Sequence, residues 1–185
     1  MHRSVGVWLD VLARLLAVAA LGAVSSCAGT SAEAPLRVPL GIPRDAATQL
    51  LRKHEFCHPE RPPRQVEIYP RCDRPGAEQG DAWVEAGFAR DALISLARWE
   101  RYGDEHIARA RWDQLVTAHG TDGGASEQAK QAYRAQLQLP AGVRSWVAFA
   151  RGDRLIAVFL LAPENPQDAS LLEHIVRTSR DTGAH

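Results

Sequence analysis

The sequence predicts an α+β domain in which helices pack on an antiparallel sheet of about five strands. Segments that alternate apolar and polar residues come in pairs joined by short turns, as in β-hairpins. Between these pairs stand segments whose apolar residues recur every three or four positions, which is typical of amphipathic helices. In chain order, the pattern predicts a helix, three strands, two helices, two strands and a last helix.

The first half of the domain contains one predicted helix and three predicted strands. The helix follows Pro43, a residue that is tolerated near the first turn. The first strand ends at Pro70, and the second and third strands flank the polar pair Arg90-Asp91, which predicts a hairpin. The predicted segments are helix 44–54 and strands 66–69, 83–90 and 92–99.

The second half begins with two predicted helices, and Ser126 is the expected cap of the second. Two strands then flank Gly152-Asp153, and the later strand is apolar on both faces, which predicts a central position in the sheet. Asn165-Pro166 is typical of a helix start, so a last helix is expected there. Its predicted buried stripe is Leu171, Leu172, Ile175 and Val176.

Residues 1–26 have the composition of a bacterial export signal. Arg3 and Arg14 precede or flank an apolar run, 15–24, that is too short to span a membrane as a permanent helix. The run ends in VSSC (24–27), which resembles the lipobox of bacterial lipoproteins. The resemblance implies cleavage between Ser26 and Cys27 and attachment of lipid to Cys27. An ordinary secretory signal with Cys27 as a spare thiol is the alternative.

Three further boundaries follow from composition. Residues 27–40 are small, polar and proline-containing, so they are expected to form a lipidated tether. The folded domain is expected at 41–180, and residues 181–185 are expected to form a frayed tail. Ala28 follows the lipidated cysteine, and the sorting rules of many double-membrane bacteria then imply the outer membrane, with the domain facing the periplasm.

Two cysteines lie in the predicted domain, and an exported protein resides in an oxidising compartment. Cys57 and Cys72 are therefore expected to form a disulfide. A zinc site is the alternative, because His54 and His58 stand close to Cys57. Neither cysteine belongs to a CxxC motif, so the prediction is a disulfide, with no metal and no cofactor.

The start of the predicted domain resembles the BamE (SmpA/OmlA) group of small outer-membrane lipoproteins. The residues that carry the resemblance are GIPR (41–44) and the leucine pair at 50–51. The hairpin between Trp83 and Trp99 is similar to strands of that group, so the resemblance covers about residues 41–100. It implies a small antiparallel sheet with helices packed on it.

The charge balance and the motifs exclude several function classes. The chain has 22 basic and 22 acidic residues, which gives no electrostatic case for binding nucleic acid. The sequence contains no P-loop, GxGxxG or GxSxG motif. Arg151-Gly152-Asp153 is expected to be a turn rather than an adhesion motif, and His106 and His119 lie too far apart on one predicted helix to serve one substrate.

Two functions remain open. The first is a non-catalytic envelope lipoprotein that binds another envelope protein and reaches the membrane through lipid on Cys27. The second is a periplasmic ligand-binding or glycan-binding domain, possible hydrolytic activity included, in which exposed tryptophans form the binding platform. The candidate binding residues are Trp83, Trp99 and Trp146, and packing in the core is the alternative role for each.

Overall fold

The computed structural model describes residues 34–58, 63–73, 81–121, 123–162 and 170–178. Along these ranges the chain forms one helix, three strands, two helices and three further strands. The elements within these ranges are α1 (Arg44–Lys53), β1 (Val66–Pro70), β2 (Ala82–Ala89), β3 (Ala92–Glu100), α2 (Glu105–Gly120), α3 (Glu127–Gln136), β4 (Val143–Arg151), β5 (Arg154–Leu161) and β6 (Leu171–Arg177). The six strands form one sheet in the order β1-β2-β3-β6-β5-β4, and every neighbouring pair is antiparallel.

The α+β class is confirmed, and most predicted elements lie within a few residues of their observed bounds. Ser126 caps α3 by accepting a hydrogen bond from the backbone of Ala129. The strand β5 is central, since it pairs with β4 on one side and β6 on the other. The prediction of about five strands is wrong, because the described residues form six.

The additional strand replaces the predicted last helix. Residues 171–177 form β6, which is inserted between β3 and β5. Leu172, His174 and Val176 lie on one face of this strand, and Leu171, Glu173 and Ile175 lie on the other. A central strand has apolar residues on both faces, and in a short segment this pattern also matches the apolar stripe of a helix. The pattern therefore predicted a helix where the chain forms a strand. The start signal Asn165-Pro166 lies outside the described residues.

The two faces of the sheet carry different helices. The inner face packs against α1 and α2, and its core includes Leu51 of α1 and Leu115 of α2. The outer face packs against α3, whose Tyr133 lies in a second core over β4, β5 and β6. Because α3 contacts β4 and β5, the outer face of β1, β2 and β3 has no described helix on it.

A segment before α1, residues 34–38, lies in the inner core and is called the strap below. Leu36 is 3% exposed and Val38 is fully buried. Residues 34–38, which belong to the predicted tether 27–40, therefore pack with the domain whose start was predicted at residue 41. The leader, the first part of the tether and the tail lie outside the described residues.

Candidate functional site

A network of ionisable side chains lies inside the inner face of the sheet. Arg98 of β3 and Glu173 of β6 stand opposite each other, and Nη2 of Arg98 is 2.7 Å from Oε2 of Glu173. Nε of Arg98 is also 3.1 Å from Oε1 of Glu100. The guanidinium of Arg98 therefore partly neutralises the negative charge of both carboxylates. The interior network comprises Arg98, Glu100, Arg111, His119 and Glu173.

The helix α2 supplies the other two members of the interior network. Arg111 donates two hydrogen bonds to Glu100, with lengths of 3.0 and 3.1 Å. Nε2 of His119 lies 2.6 Å from Oε1 of Glu173. Both side chains are buried, so α2 is fixed to β3 and β6 by charge as well as by apolar packing.

The surroundings of the two carboxylates keep them ionised. Burial raises the pKa of Glu173, but the charge of Arg98 and the hydrogen bond from His119 hold that pKa below its ordinary value. Burial acts on Glu100 in the same way, and the charges of Arg98 and Arg111 lower its pKa. The network is therefore a set of paired charges rather than a group of neutral acids.

The strap covers Arg98 and Glu173 of the interior network and bonds to them through its backbone. The carbonyl oxygen of Ala34 accepts a hydrogen bond of 2.7 Å from Nη1 of Arg98, and the backbone N–H of Leu36 donates to Oε1 of Glu173 at 3.2 Å. Neither Arg98 nor Glu173 has any exposed surface. A substrate cannot reach these groups in this conformation, so their role here is to join the strap, the sheet and α2.

A second polar cluster lies nearer the surface and centres on the carboxylate of Glu67 in β1. Tyr69 donates a hydrogen bond of 2.7 Å to it, and Nε2 of His58 lies 3.2 Å from it. The guanidinium of Arg44 and the backbone N–H of Arg64 also donate to it. With four donors around it, Glu67 serves to position Arg44 and His58.

Arg44 connects this cluster to a groove at the start of β1 and the turn between β2 and β3. The groove has a volume of about 550 Å³ and is called the arginine groove below. Its defining residues are Arg44, Arg64, Phe88, Arg90, Asp91 and Ile94.

Arg44 is held rigidly within the arginine groove. Its guanidinium carbon lies 4.1 Å from the ring centre of Phe88, and its Nε donates to Asp91 at 2.8 Å. Burial alone would lower the pKa of Arg44, but the hydrogen bond to Asp91 and the charge of Glu67 raise it above the ordinary value. Arg64 and Arg90 are exposed, and within the described ranges no hydrogen bond or ion pair involves either side chain.

The candidate tryptophans are packed rather than displayed as platforms. Trp83 is only 5% exposed and stacks on Trp99, with 6.1 Å between ring centres. Trp146 stacks on Phe159 at 5.4 Å and lies below the side chains of α3. Trp99 and Trp146 are half-buried. None of these tryptophans lines the arginine groove.

Cys57 and Cys72 form the predicted disulfide, with their Cα atoms 4.9 Å apart. It joins the segment after α1 to the end of β1, where Phe56 and Arg71 also form an isolated bridge. Their sulfurs bind each other, so neither is available as a thiolate ligand. Among the described residues, no group of three or more His, Cys, Asp or Glu side chains is arranged to hold a metal ion.

We expect the double variant Cys57→Ala/Cys72→Ala to lose about 3 kcal/mol of unfolding free energy, because the crosslink restricts a loop of this length in the unfolded chain. The sequence separation is 15 residues. Urea unfolding of the variant and of the oxidised wild type measures the difference. Equal midpoints for the two proteins would contradict the prediction.

The remaining candidate residues within the described ranges lie in a turn and in α2. Arg151-Gly152-Asp153 spans the turn between β4 and β5, where Gly152 has a φ of +59°. That backbone conformation favours glycine, so the turn interpretation is confirmed. His106 is exposed near the start of α2, whereas His119 is buried in the interior network. Val24, Ser26 and Cys27 lie outside the described residues.

None of the sequence-based predictions includes the interior network, although the sequence contains a signal for it. Arg98 and Glu100 lie in phase with Leu96 along β3, and Arg111 lies between Ala108 and Leu115 on the buried face of α2. Charged residues at core-facing positions indicate paired buried charges.

None of the described helices is long and apolar enough to cross a membrane.

Comparison with known proteins gives no relative for this fold and these clusters: no protein-family model matches the chain, and no curated protein or solved structure is significantly similar to it.

Proposed function

We propose that this chain is an exported lipoprotein of the bacterial cell envelope, anchored by lipid on Cys27, and that it binds another envelope protein without catalysing a reaction. The observation that carries the proposal is an apolar surface on the outer face of β1, β2 and β3. We call this surface the outer patch and define it by Val66, Ile68, Ile94, Ala97 and Trp99.

The accessible part of the outer patch is Val66 and Ile94, whereas Ile68, Ala97 and Trp99 are half-buried and the last two pack against the second core. Val66 is 55% exposed and Ile94 is 42% exposed, which is unusual for large aliphatic residues on a sheet. Gly87 keeps the surface between them flat, because an added Cβ would lie 2.3 Å from Oγ of Ser95 and 3.7 Å from Cγ1 of Ile94. Glu85 lies on the same face between Ile68 and Ala97, so the outer patch combines apolar side chains with a carboxylate, and such mixed surfaces occur at protein interfaces.

The leader and the disulfide support an envelope location. The lipobox-like sequence ends at Cys27, and a disulfide between Cys57 and Cys72 is stable in an exported protein. Only residues 28–33 separate the proposed lipid site from the strap, a chain length that reaches about 25 Å at most. The domain would therefore work close to the membrane surface.

The glycan-binding alternative has less support. A sugar platform requires an accessible aromatic face, and the stacking of Trp83 on Trp99 and of Trp146 on Phe159 occupies these rings. The strap covers Arg98 and Glu173 of the interior network, and the cavity beside Glu100 and Arg111 has a volume of only about 160 Å³, which is small for a ligand site. The outer patch thus favours a protein partner over a small molecule.

A photo-crosslinking amino acid at Val66, in the full chain expressed in its native membranes, tests the proposal. We expect a discrete crosslinked protein, because Val66 lies at the exposed edge of the outer patch. Fatty-acid labelling of the same samples reports lipid on Cys27, and Cys27→Ser should abolish the label and release the chain from the membrane.

The matched control carries the same crosslinker at Ile107, which is 57% exposed but belongs to α2 on the opposite layer. Equal crosslinking from both positions would indicate nonspecific contact and would contradict a role for the outer patch. A labelled chain that gives no crosslinked protein from Val66 would retain the lipoprotein assignment and remove the partner.

A further inference from the structure

We infer that the arginine groove binds an acidic segment of the partner protein, with carboxylate groups beside apolar side chains. This inference rests on the proposed function and specifies the chemistry of the partner. It also predicts where the charged part of the interface lies relative to the apolar part.

The first observation is the charge of the arginine groove. Three arginines, Arg44, Arg64 and Arg90, line the groove, and Asp91 is the acidic residue of its lining. Arg44 is paired with Glu67 and Asp91, whereas Arg64 and Arg90 are exposed and their side chains have no hydrogen bond or ion pair within the described parts of the chain. Two free guanidinium groups next to a third attract carboxylates, which they can bind through paired hydrogen bonds.

The second observation is that the groove is built before a partner arrives. The turn between β2 and β3 has positive φ at both Arg90 and Asp91, +50° and +62°. Such turns usually contain asparagine or glycine, so the conformation here must be held by other contacts. Arg44 supplies two of them, since its backbone N–H donates to the Asp91 carbonyl at 3.0 Å and its Nε donates to the Asp91 carboxylate.

The third observation is continuity with the outer patch. Ile94 lines the arginine groove and belongs to the outer patch, and Arg64 stands two positions before Val66. Phe88 contributes an apolar wall below Arg44. One segment of a partner can therefore place apolar side chains on the patch and acidic side chains in the groove, which favours a protein over a free anion.

The test uses the full chain in native membranes with the photo-crosslinking amino acid at Gln65, an exposed residue of the groove wall. We expect the crosslinked peptide of the partner, sequenced by mass spectrometry, to contain several Asp or Glu residues. The double variant Arg64→Glu/Arg90→Glu should reduce the crosslinking yield by about ten-fold, because it replaces attraction by repulsion. A neutral or basic partner peptide, or an unchanged yield, overturns the inference.

The control is Arg109→Glu, which reverses an exposed charge on α2, away from the groove. It should leave the yield from Gln65 unchanged, and a loss equal to that of the double variant would overturn the inference. The Val66 crosslink separates the two proposals. If it persists in the double variant while the partner peptide at Gln65 is not acidic, the protein-binding function stands and the acidic-segment inference fails.

A binding measurement on the purified full chain in detergent is independent of the cellular partner. The probes are a synthetic peptide of alternating glutamate and leucine, inorganic phosphate, and phosphatidylglycerol vesicles. Binding of the peptide that requires Arg64 and Arg90 supports the inference even if Val66 gives no crosslink, in which case only the proposed function fails. Binding of phosphate or vesicles alone through these arginines overturns it.

Discussion

We expect Arg98→Met to lower the free energy of unfolding by about 3–5 kcal/mol at neutral pH. Arg98 is fully buried, and its guanidinium faces Glu173 at 2.7 Å and Glu100 at 3.1 Å. Methionine fills much of the same volume but leaves both carboxylates with less positive charge around them. Chemical denaturation of the variant and the wild type at neutral pH measures the loss.

The pH dependence separates the charge effect from a packing defect. The positive charge of Arg98 lowers the pKa of Glu173 and of Glu100 in the folded protein. A lowered carboxyl pKa stabilises the fold above the unfolded value near 4.5, and this contribution is lost as the pH falls through the folded pKa. Loss of Arg98 raises the pKa of both carboxyls in the folded variant, so the deficit of Arg98→Met should shrink as the pH falls and these carboxyls become protonated.

A deficit that stays constant from neutral to acidic pH would show that volume, not charge, determines the effect. Arg109→Met is the matched control, because this exposed arginine of α2 takes part in no ion pair within the described ranges. We expect that substitution to change the stability by well under 1 kcal/mol. The difference between the losses of unfolding free energy in Arg98→Met and Arg109→Met measures how much the interior network stabilises the fold.

Local patterns were sufficient to predict five of the six strands and all three helices. Features that depend on a few neighbouring residues can be predicted from the sequence. They include the turns at Arg90-Asp91 and Gly152-Asp153, the cap at Ser126 and the apolar strand β5. The sixth strand depends on its neighbours. Residues 171–177 become a strand because β3 and β5 both offer unpaired edges, a tertiary condition that the apolar spacing cannot express.

The candidate sites were harder to predict for the same reason. The disulfide between Cys57 and Cys72 follows from cysteine count and compartment, and it was predicted. The interior network joins Arg98, Glu173 and Ala34 across three distant parts of the chain, and no short motif carries such a grouping. The arginine groove likewise arises only when the start of α1 meets the turn between β2 and β3.

A second large effect is expected from His174, which lies on the outer face of β6 beneath α3. Its Nδ1 is 2.6 Å from the hydroxyl oxygen of Tyr133, so the two groups share a hydrogen bond. Burial lowers the pKa of His174 from 6.5 to about 4. Below pH 6.5 the unfolded chain takes up a proton that the folded chain does not bind, so folding stability should fall by up to about 3 kcal/mol on acidification towards pH 4.

We expect His174→Gln to flatten the stability profile between pH 6.5 and about 4.5, even though the variant is less stable at neutral pH. Urea unfolding at several pH values measures the slope. His106→Gln is the control, since that histidine is exposed at the start of α2 and should leave the wild-type slope unchanged.

His54 contributes in the same direction, because burial and the charge of Arg98 lower its pKa as well. The double variant His54→Gln/His174→Gln should therefore remove the slope that remains in His174→Gln. A wild-type slope that persists in the double variant would assign the acid sensitivity to other groups. The pKa values of the interior carboxylates are lowered from 4.5, so the slope above that pH reports mainly on His54 and His174, the two histidines whose pKa burial lowers.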